Sequence, residues 1–309
     1  MTSYDFIIIG GGVTGMGAAV YSARFNMKTL VLAGRMGGLI QDTHIVENYP
    51  GFKSVTGGEL ANSLIEHAKI YSDVVDIKEE FAIDVSKNKE DFIVKTENGK
   101  YTGKTILFAT GTKRKKLNVK GEEEFLNKGV SYCATCDGPL YKGLKVIIIG
   151  GSDSAAKEAL MLSDHAKEVY IIYRKEKIRA EPINLKRVEA KKNIKIINNT
   201  NVVEVKGDKF VTSVIFDKAY QGKTEFKCDG VFVEIGHEVL SELAVKLGVE
   251  VDEKGEIITN KDSETNVPGI FAGGDVVSRP WKQAIVGVSE GVLASWRAYE
   301  YISIQKVKK

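Results

Sequence analysis

The chain has 309 residues, of which 43% are hydrophobic and 28% charged, and its formal net charge is +3. This composition is that of an ordinary globular protein, and the length favours two domains over one. The small charge and the dispersed basic residues argue against a nucleic-acid-binding protein, and the one local basic run, residues 113–116, is interpreted as a solvated connector. No apolar segment approaches the ~18 residues of a membrane span, so we expect a cytoplasmic protein without a membrane partner.

The first predicted element is a strand–turn–helix–strand unit in residues 5–32. A β-prone apolar segment precedes the sequence Gly10-x-Gly12-x-x-Gly15, and a segment with helical spacing follows it. Gly10 permits a tight turn, Gly12 lets the backbone approach a pyrophosphate, and Gly15 lets the helix pack closely on the strand. The unit therefore predicts a dinucleotide site, with a mere packing turn as the alternative. The acidic residue expected after the second strand is missing, because positions 33–34 are Ala-Gly.

A β-hairpin is predicted next. Apolar or alternating segments at residues 92–96 and 101–108 flank the turn sequence Asn98-Gly99. We expect these strands to form a small antiparallel insertion.

Two of the three cysteines, Cys133 and Cys136, have C-x-x-C spacing. At the start of a helix such a pair can close into a disulfide that exchanges two electrons, because the helix N-terminus stabilises thiolates. In a reducing compartment the pair is more plausibly catalytic than structural. Half of a zinc site is the alternative, but Cys228 and the four scattered histidines supply no second ligand pair, so we predict no metal. Cys228 is expected to be a buried strand residue without a redox role.

A second strand–turn–helix–strand unit is predicted in residues 146–173, which suggests a second cofactor. Its turn contains Gly150, Gly151 and Ser152, followed by Ser154. Ser152 replaces the second glycine of the motif, so the backbone approaches a pyrophosphate less freely.

The second unit ends in a basic cluster formed by Arg174, Lys175 and Arg179. These side chains could clasp a 2′-phosphate, and a charged surface loop is the alternative.

Strands are predicted again in the later part of the chain, at residues 194–205, 211–216 and 230–235. Helical periodicity follows at residues 239–247 and 283–302. In the second of these helices one face is expected to contain residues 284, 288, 292, 295 and 299.

Several spaced motifs together resemble one family over essentially the whole chain, the low-molecular-weight flavoprotein thioredoxin reductases, which are class-II pyridine nucleotide-disulfide oxidoreductases. The motifs, in order, are Gly10-x-Gly12-x-x-Gly15, residues 46–52 (Val-Glu-Asn-Tyr-Pro-Gly-Phe), Ala109-Thr110-Gly111, Cys133-Ala-Thr-Cys136-Asp137-Gly138, Arg174 with Arg179, and residues 268–275 (Pro-Gly-Ile-Phe-Ala-Gly-Gly-Asp).

The resemblance implies an α/β fold with two Rossmann-like dinucleotide-binding domains of the three-layer ββα type, the second inserted into the first. Residues 1–114 and 244–309 would form a discontinuous FAD-binding domain. Residues 115–243 would form the NAD(P)H-binding domain that carries the cysteine pair. Rotation of one domain against the other is implied, with hinges in residues 113–118 and 239–244.

The resemblance also implies two sets of cofactor-binding residues. Those for FAD are Gly10, Gly12, Gly15, Asn48, Thr110, Gly111, Gly274, Asp275, Gln283, Ala284 and Ile285. Among them the carboxylate of Asp275 would hold the ribityl chain, and residues 283–285 would border the isoalloxazine at a helix N-terminus. Those for NADPH are Gly150, Gly151, Ser152, Ser154, Arg174, Lys175 and Arg179.

The implied activity is that of a thioredoxin-disulfide reductase. Electrons would pass from NADPH through FAD to the cysteine pair and then to thioredoxin or a thioredoxin-like protein. Cys136 would face the flavin and Cys133 would attack the partner's disulfide, while Asp137 would be the acid–base group. Asp137 could equally cap the helix that begins at the cysteines. A homodimer is expected from the family.

The chain departs from the family pattern mainly around the second nucleotide. The departures are Ser152, Lys157, Tyr173, Lys175 and residues 239–241 (Val-Leu-Ser), with Leu39 near the flavin and Pro139-Leu140 on the partner side. Ferredoxin, NADH or another hydride carrier is therefore the alternative donor. Two different kinds of protein also stay open. One is an electron-transfer flavoprotein without a dithiol, against which the cysteine pair argues, and the second is an enzyme that reacts with oxygen through the same cysteines.

Overall fold

The computed structural model describes residues 2–88 and 91–307. The ends of the predicted domains at residues 1, 308 and 309 lie outside the described residues, as do residues 89–90. The strands are β1 (Thr2–Ile9), β2 (Thr29–Leu32), β3 (Val75–Lys78), β4 (Ala82–Lys87), β5 (Phe92–Thr96), β6 (Lys100–Phe108), β7 (Thr112–Arg114), β8 (Val130–Ser131), β9 (Lys145–Ile149), β10 (Glu168–Ile172), β11 (Ile194–Ile197), β12 (Val202–Gly207), β13 (Val211–Tyr220), β14 (Lys223–Lys227), β15 (Gly230–Val233), β16 (His237–Val239) and β17 (Ile270–Ala272). The helices are α1 (Val13–Arg24), α2 (Gly57–Lys69), α3 (Ala134–Asp137), α4 (Asp153–Ser163), α5 (Pro182–Ala190), α6 (Glu242–Lys246) and α7 (Ala284–Val307), and short 3₁₀ helices cover Gly38–Asp42 and Gly138–Tyr141.

The chain divides into two compact units. Unit 1 contains residues 1–113 and 239–309, and unit 2 contains residues 114–238. Both units are α/β with parallel strands, and the second is inserted into the first, which confirms the predicted fold class. The chain passes between the units through β7 and β16, which pair with each other. The second crossing lies at residues 238/239, where the prediction places it after residue 243.

Unit 1 is built on a seven-stranded sheet in the order β3-β2-β1-β6-β5-β4, with β17 also paired to β6. Strands β3, β2, β1, β6 and β17 are parallel. The predicted hairpin is confirmed, since β5 pairs antiparallel with the first half of β6. It extends the main sheet rather than forming a separate insertion. The strand ends of β1, β6 and β17 therefore meet at one edge, where α1 begins.

Helix α7 packs against α1 through small residues. Ser295 is fully buried and its hydroxyl donates to the Ala18 carbonyl at 2.8 Å, while a Cβ at Gly291 would lie 2.2 Å from the Thr14 carbonyl oxygen. The predicted face is the one that contacts α1, since a Cβ at Gly17 would lie 3.1 Å from Val288 and the Tyr299 ring, although 43% exposed, stacks on Phe25 with 5.1 Å between centroids. Close approach of the two helix backbones selects glycine, alanine and serine here, and an apolar periodicity does not detect them. The helix predicted at residues 239–247 is also shorter, since residue 239 belongs to β16 and α6 covers only Glu242–Lys246.

Unit 2 contains a five-stranded parallel sheet in the order β11-β10-β9-β15-β8 and a three-stranded antiparallel sheet in the order β12-β13-β14. The predicted single β segment at residues 194–205 is two strands in different sheets. The chain turns between them at Asn199, whose φ of 54° is left-handed. Within residues 2–88 and 91–307, no helix is long and apolar enough to cross a bilayer.

Candidate functional site

The first glycine turn has the geometry that the sequence predicted. Gly10 has φ 127°, and a Cβ there would lie 2.1 Å from the carbonyl oxygen of Ala109. A Cβ at Gly15 would lie 1.9 Å from the Gly10 carbonyl oxygen. Both positions therefore admit only glycine. Gly12 is the N-cap of α1 with no side-chain cap and no acidic residue in the first turn, so the first N–H groups of the helix remain available to an anion.

A second loop meets this turn after β17. The Gly274 N–H donates to Glu290 Oε2 at 2.7 Å. A Cβ at Gly274 would lie 2.4 Å from Thr14 Oγ1, and one at Gly287 would lie 2.6 Å from the same atom. The beginnings of α1 and α7 and the loop after β17 are therefore in contact within unit 1.

Asp275 lines a small depression that is open to solvent and is also lined by Gly274, Gln283 and Gly287. Its side chain is exposed and, in the described part of the chain, its carboxylate has no hydrogen-bond partner. Asn48 Nδ2 donates to Gln283 Oε1 at 2.9 Å, although 235 positions separate the two residues. The structure thus brings Asn48, Gln283 and the first residues of α7, Ala284 and Ile285, to one place.

Thr110 and Gly111 follow β6 and contact the connecting chain. Thr110 Oγ1 donates to the Leu240 carbonyl at 2.6 Å, and the Leu240 N–H donates to the Gly111 carbonyl at 3.1 Å. Gly111 has φ 63°, so a side chain there would be strained. The Thr110 hydroxyl therefore has a protein partner of its own.

Glu290, on α7, takes part in the same group of contacts and was not predicted from the sequence. It is 7% exposed, and its other oxygen, Oε1, accepts from Arg279 Nε at 3.0 Å. The sequence signal for Glu290 is its position on the helix face that also carries Gly287 and Gly291. Charged residues are rarely buried without a partner, so a glutamate on such a face indicates a paired carboxylate. Glu290 holds the loop that carries Asp275.

The glycine turn of unit 2 is more crowded. Gly150 has φ 153°, and a Cβ there would lie 2.1 Å from the Glu234 carbonyl oxygen. A Cβ at Gly151 would lie 2.3 Å from the Tyr173 ring. Ser152 is the N-cap of α4 without a side-chain cap, and the Arg179 N–H donates to the Gly151 carbonyl at 2.6 Å. The basic loop is therefore tied to the turn.

The cations of this loop remain available to a ligand. Arg174, Lys175 and Arg179 are exposed, and among the described residues none forms an ion pair with them. They lie just beyond the carboxyl end of β10. Ser154 lies in the first turn of α4 and is also exposed.

Asp153, which the sequence analysis did not single out, explains one departure from the family pattern. Its Oδ1 accepts from the Glu181 N–H at 2.8 Å and from Asn184 Nδ2 at 2.9 Å, and Lys157 Nζ lies 2.9 Å from its Oδ2. Burial opposes ionisation, but the hydrogen bonds from Asn184 and Lys157 lower the pKa of Asp153 below its ordinary value. Lys157 thus compensates a carboxylate at the helix N-terminus that would repel a phosphate.

The cysteine pair is a disulfide, with Cys133 and Cys136 Cα atoms 5.3 Å apart. Cys133 is the N-cap of α3, and its Sγ accepts the Cys136 N–H at 3.2 Å. Asp137 ends this helix rather than beginning it, so the alternative that Asp137 caps α3 was wrong. Cys228 is buried, and burial raises the pKa of its thiol to about 12, as an inert cysteine requires. It lies between β14 and β15 rather than in a strand.

Comparison with known proteins agrees with this arrangement. Residues 4–291 match the sequence profile of the pyridine nucleotide-disulphide oxidoreductase family. The thioredoxin reductase of Bacillus subtilis (strain 168) is 39% identical over 305 residues, which cover 97% of this chain and 95% of the relative. The crystal structure of Lactococcus lactis thioredoxin reductase superposes with a TM-score of 0.92 at 37% identity, covering 97% of this chain and 99% of that chain. A ferredoxin-flavin thioredoxin reductase from Clostridium acetobutylicum superposes with a TM-score of 0.54 at 30% identity, covering 98% and 99% of the two chains. The chain therefore belongs to the pyridine nucleotide-disulphide oxidoreductase family and, within it, to the thioredoxin reductases.

Proposed function

We propose that this protein is an FAD-dependent thioredoxin-disulfide reductase that takes electrons from NADPH. It passes them through Cys133 and Cys136 to the disulfide of thioredoxin or a thioredoxin-like protein. The observation that carries the proposal is the Cys133–Cys136 disulfide at the start of α3, in the same unit as the second glycine turn. The family membership and the whole-length similarity to a thioredoxin reductase support it.

Unit 1 is the proposed FAD-binding domain, and its residues fit this cofactor. The uncapped N-terminus of α1, beside Gly12, offers N–H groups to the pyrophosphate. The unpartnered carboxylate of Asp275 is suited to accept hydrogen bonds from ribityl hydroxyls, and the linked Asn48 and Gln283 are suited to contact the flavin ring. When bound, FAD supplies a carrier that accepts two electrons from a nicotinamide and delivers them to a disulfide.

Unit 2 is the proposed nicotinamide-nucleotide domain. Three unpaired cations, Arg174, Lys175 and Arg179, favour a ligand that carries a 2′-phosphate, because phosphate recognition by guanidinium groups gives charge-assisted hydrogen bonds. This favours NADPH over NADH. Gly150, Gly151, Ser152 and Ser154 would face the pyrophosphate at the N-terminus of α4.

The thiol chemistry is assigned to α3. A Cys133 thiolate at the N-cap would be stabilised by the N–H groups of the first turn. One of them, the Cys136 N–H, donates to Cys133 Sγ in the disulfide form. Cys133 is proposed to attack the partner's disulfide, with Cys136 as the sulfur reduced through the flavin. Asp137, at the end of the same helix, is the proposed acid–base group.

The cysteine roles are testable by trapping. Cys136→Ser should accumulate a mixed disulfide between Cys133 and thioredoxin, because the enzyme thiol that resolves it is missing and only the thiol released on thioredoxin can reverse the exchange. Cys133→Ser should form none. The reverse pattern would exchange the two roles.

One anaerobic titration tests the donor and the acceptor. Flavin absorbance is followed while NADPH, NADH and reduced ferredoxin are added to separate samples, and oxidised thioredoxin is then supplied. We expect NADPH to bleach the flavin and thioredoxin to restore its colour. If ferredoxin bleaches the flavin and NADPH does not, the proposed donor NADPH is wrong. The protein then takes electrons from ferredoxin, the donor in the name of the Clostridium acetobutylicum enzyme. If thioredoxin does not reoxidise the protein, the acceptor is wrong.

Three further expectations stay predictions. They are a homodimer, a cytoplasmic location, and a rotation of the units about residues 113–118 and 239–244. A crosslink between these two segments that left turnover intact would contradict the rotation.

A further inference from the structure

Unit 2 contains a buried carboxylate that the proposed function does not use, that of Glu122. The residue lies in the segment between β7 and β8 and is 3% exposed. Its Oε1 accepts the N–H of Leu117 at 2.6 Å, and its Oε2 accepts the N–H of Asn118 at 2.5 Å. A third donor is the hydroxyl of Tyr132, which hydrogen-bonds to Oε1. A buried carboxylate with three donors is a fixed point of the structure, because withdrawing a donor would leave a buried charge poorly satisfied.

The backbone that carries Glu122 is itself held by a sheet. The Val205 N–H on β12 donates to the Lys120 carbonyl at 2.9 Å, and β12 belongs to the three-stranded sheet of unit 2. Gly121 has a φ of 86°, and a Cβ there would lie 2.0 Å from the Val205 carbonyl oxygen. Glu122 is therefore anchored to regular structure through its two preceding residues.

The beginning of the same segment is also held. Arg114, at the end of β7, forms an ion pair with Glu234, and its side chain is 18% exposed. The interpretation of residues 113–116 as solvated was therefore wrong for Arg114. Glu122 provides a second attachment of this segment within unit 2.

Tyr132 links Glu122 to the redox pair. It is the one residue between Ser131, which ends β8, and Cys133, the N-cap of α3. Ser131 is 3% exposed, and its Oγ accepts the Cys133 N–H at 3.0 Å. Cys133 Sγ in turn accepts the Cys136 N–H at 3.2 Å. The chain that enters Cys133 is therefore fixed by two hydroxyl groups, those of Ser131 and Tyr132.

We propose that Tyr132 and Glu122 are positioning residues for Cys133. Their hydrogen bond fixes the residue before the N-cap and so keeps Cys133 Sγ at the Cys136 N–H, which favours the Cys133 thiolate. The inference deepens the proposed function, on which its meaning for catalysis rests, because Cys133 is the thiol assigned to the partner's disulfide. Tyr132 and Glu122 act only through the position of Cys133 and transfer no proton to it.

The Tyr132 hydroxyl stays a donor over the range in which thiols ionise. Burial raises its pKa above the ordinary value, and the hydrogen bond to the Glu122 carboxylate acts in the same direction. A change in cysteine reactivity between about pH 7 and pH 10 therefore reports the ionisation of the thiols and not that of Tyr132.

Tyr132→Phe tests the link alone, because it keeps the ring and removes the hydroxyl. Cys133 Sγ should then spend less time at the Cys136 N–H, so that the pKa of the Cys133 thiol rises. A rise of half a pKa unit lowers the thiolate fraction about threefold at a pH below the pKa.

Glu122→Gln tests the same link from its other end. The amide places an NH₂ group against one of the backbone N–H donors and weakens the acceptor of the Tyr132 hydroxyl, so Cys133 should again react more slowly. In the Glu122→Gln background the effect of Tyr132→Phe should be smaller than threefold, because the two residues act through one bond.

The test uses the full-length protein with its cofactor, reduced with dithiothreitol and desalted without oxygen. Iodoacetamide, a neutral alkylating agent, is added at about pH 7 and at about pH 10, and alkylation of Cys133 and Cys136 is resolved by fragment mass spectrometry. The measured quantity is the rate at Cys133 divided by the rate at Cys136. Tyr132→Phe should lower this ratio about threefold at pH 7 and leave it at the wild-type value at pH 10, where both thiols are ionised.

Tyr220→Phe is the matched control. Tyr220 is a half-buried tyrosine of β13 in the same unit, and its hydroxyl has no hydrogen-bond partner among residues 2–88 and 91–307, so its loss should leave the ratio unchanged. An unchanged ratio in Tyr132→Phe at pH 7 would overturn the proposal even if the variant unfolds more easily, because the bond would then be structural only. An equal fall at both pH values would also overturn it, since thiolate stability would not be the cause. If Glu122→Gln does not fold, the two tyrosine variants decide alone.

This measurement needs neither NADPH nor thioredoxin. A failure of the proposed donor or acceptor would therefore leave its outcome unchanged, and the two proposals can fail separately.

Discussion

Replacing Glu158 with glutamine should stabilise unit 2, and the gain should grow with pH. Glu158 lies on α4 within unit 2, 3.7 Å from Arg114 Nη1, and burial together with the neighbouring charge of Glu234 raises its pKa from 4.5 to about 9 in the folded protein. Its contribution to stability is therefore fully present below pH 4.5 and is lost as the pH rises from 4.5 to about 9, because the unfolded chain releases the proton and the folded chain keeps it. Glutamine has no proton to release, so the variant escapes this loss.

The size of the effect follows from the proton linkage. Each pH unit between the unfolded and folded pKa values changes the free energy of unfolding by about 1.36 kcal/mol, or tenfold in the opening equilibrium. Between pH 5 and pH 7 the variant should therefore gain up to about 2.7 kcal/mol relative to the wild type, which is about a hundredfold in protection. Relaxation of the surroundings around an ionised carboxylate lowers this upper value.

Hydrogen exchange is the suitable assay. Both tryptophans, Trp281 and Trp296, lie in unit 1, so their fluorescence does not follow the opening of unit 2. Amide protection of peptides from β9 and β10, the inner strands of the unit 2 sheet, should be measured by mass spectrometry at pH 5 and pH 7. The ratio of variant to wild type at each pH cancels the intrinsic pH dependence of exchange. Glu189→Gln, which changes an exposed glutamate on α5, is the control and should give a ratio near one at both pH values. A variant ratio that does not change with pH would refute the buried proton.

Three other predictions concern the nucleotide sites. Gly10→Ala should destabilise unit 1 by about 3 kcal/mol or more, because Gly10 has a φ of 127° and lies close to the Ala109 carbonyl. The control Gly58→Ala should not destabilise it, since nothing lies within 4 Å of a Cβ at that position. Urea unfolding followed by tryptophan fluorescence compares the two variants. In the same assay Glu290→Gln should cost about 1–3 kcal/mol, since one of its two donors loses its acceptor, and an unchanged midpoint would contradict the role of Glu290. Arg174→Gln should raise KM about tenfold for NADPH and leave that for NADH unchanged, because only the former carries a 2′-phosphate, and an equal change for both would contradict the clasp.

Local patterns predicted much of the fold. The two glycine turns, their flanking strands and helices, and the β5–β6 hairpin depend on neighbouring residues, and each was predicted close to its observed position. The turn at Gly10 was predictable because the conformational freedom of glycine is a property of one residue.

Contacts between distant residues were not predictable in this way. Arg114, Glu158 and Glu234 are separated by tens of residues and meet only because the sheet places β15 beside β9 and α4. Glu290 was missed because it is not on the face predicted for α7, and its partners Gly274 and Arg279 lie in the loop after β17. The capping role considered for Asp137 was wrong because Cys133 is the N-cap of α3, so that the aspartate falls in the last position of the helix.

In the proposed function, electrons reach the partner through the Cys133–Cys136 pair. The most direct measurement mixes the NADPH-reduced protein with one equivalent of oxidised thioredoxin under anaerobic conditions and counts the thiols that appear on thioredoxin. We expect the wild type to reduce the thioredoxin disulfide completely, and Cys133→Ser to show flavin reduction but yield no thioredoxin thiols. Reduction of thioredoxin by Cys133→Ser at the wild-type rate would contradict this route.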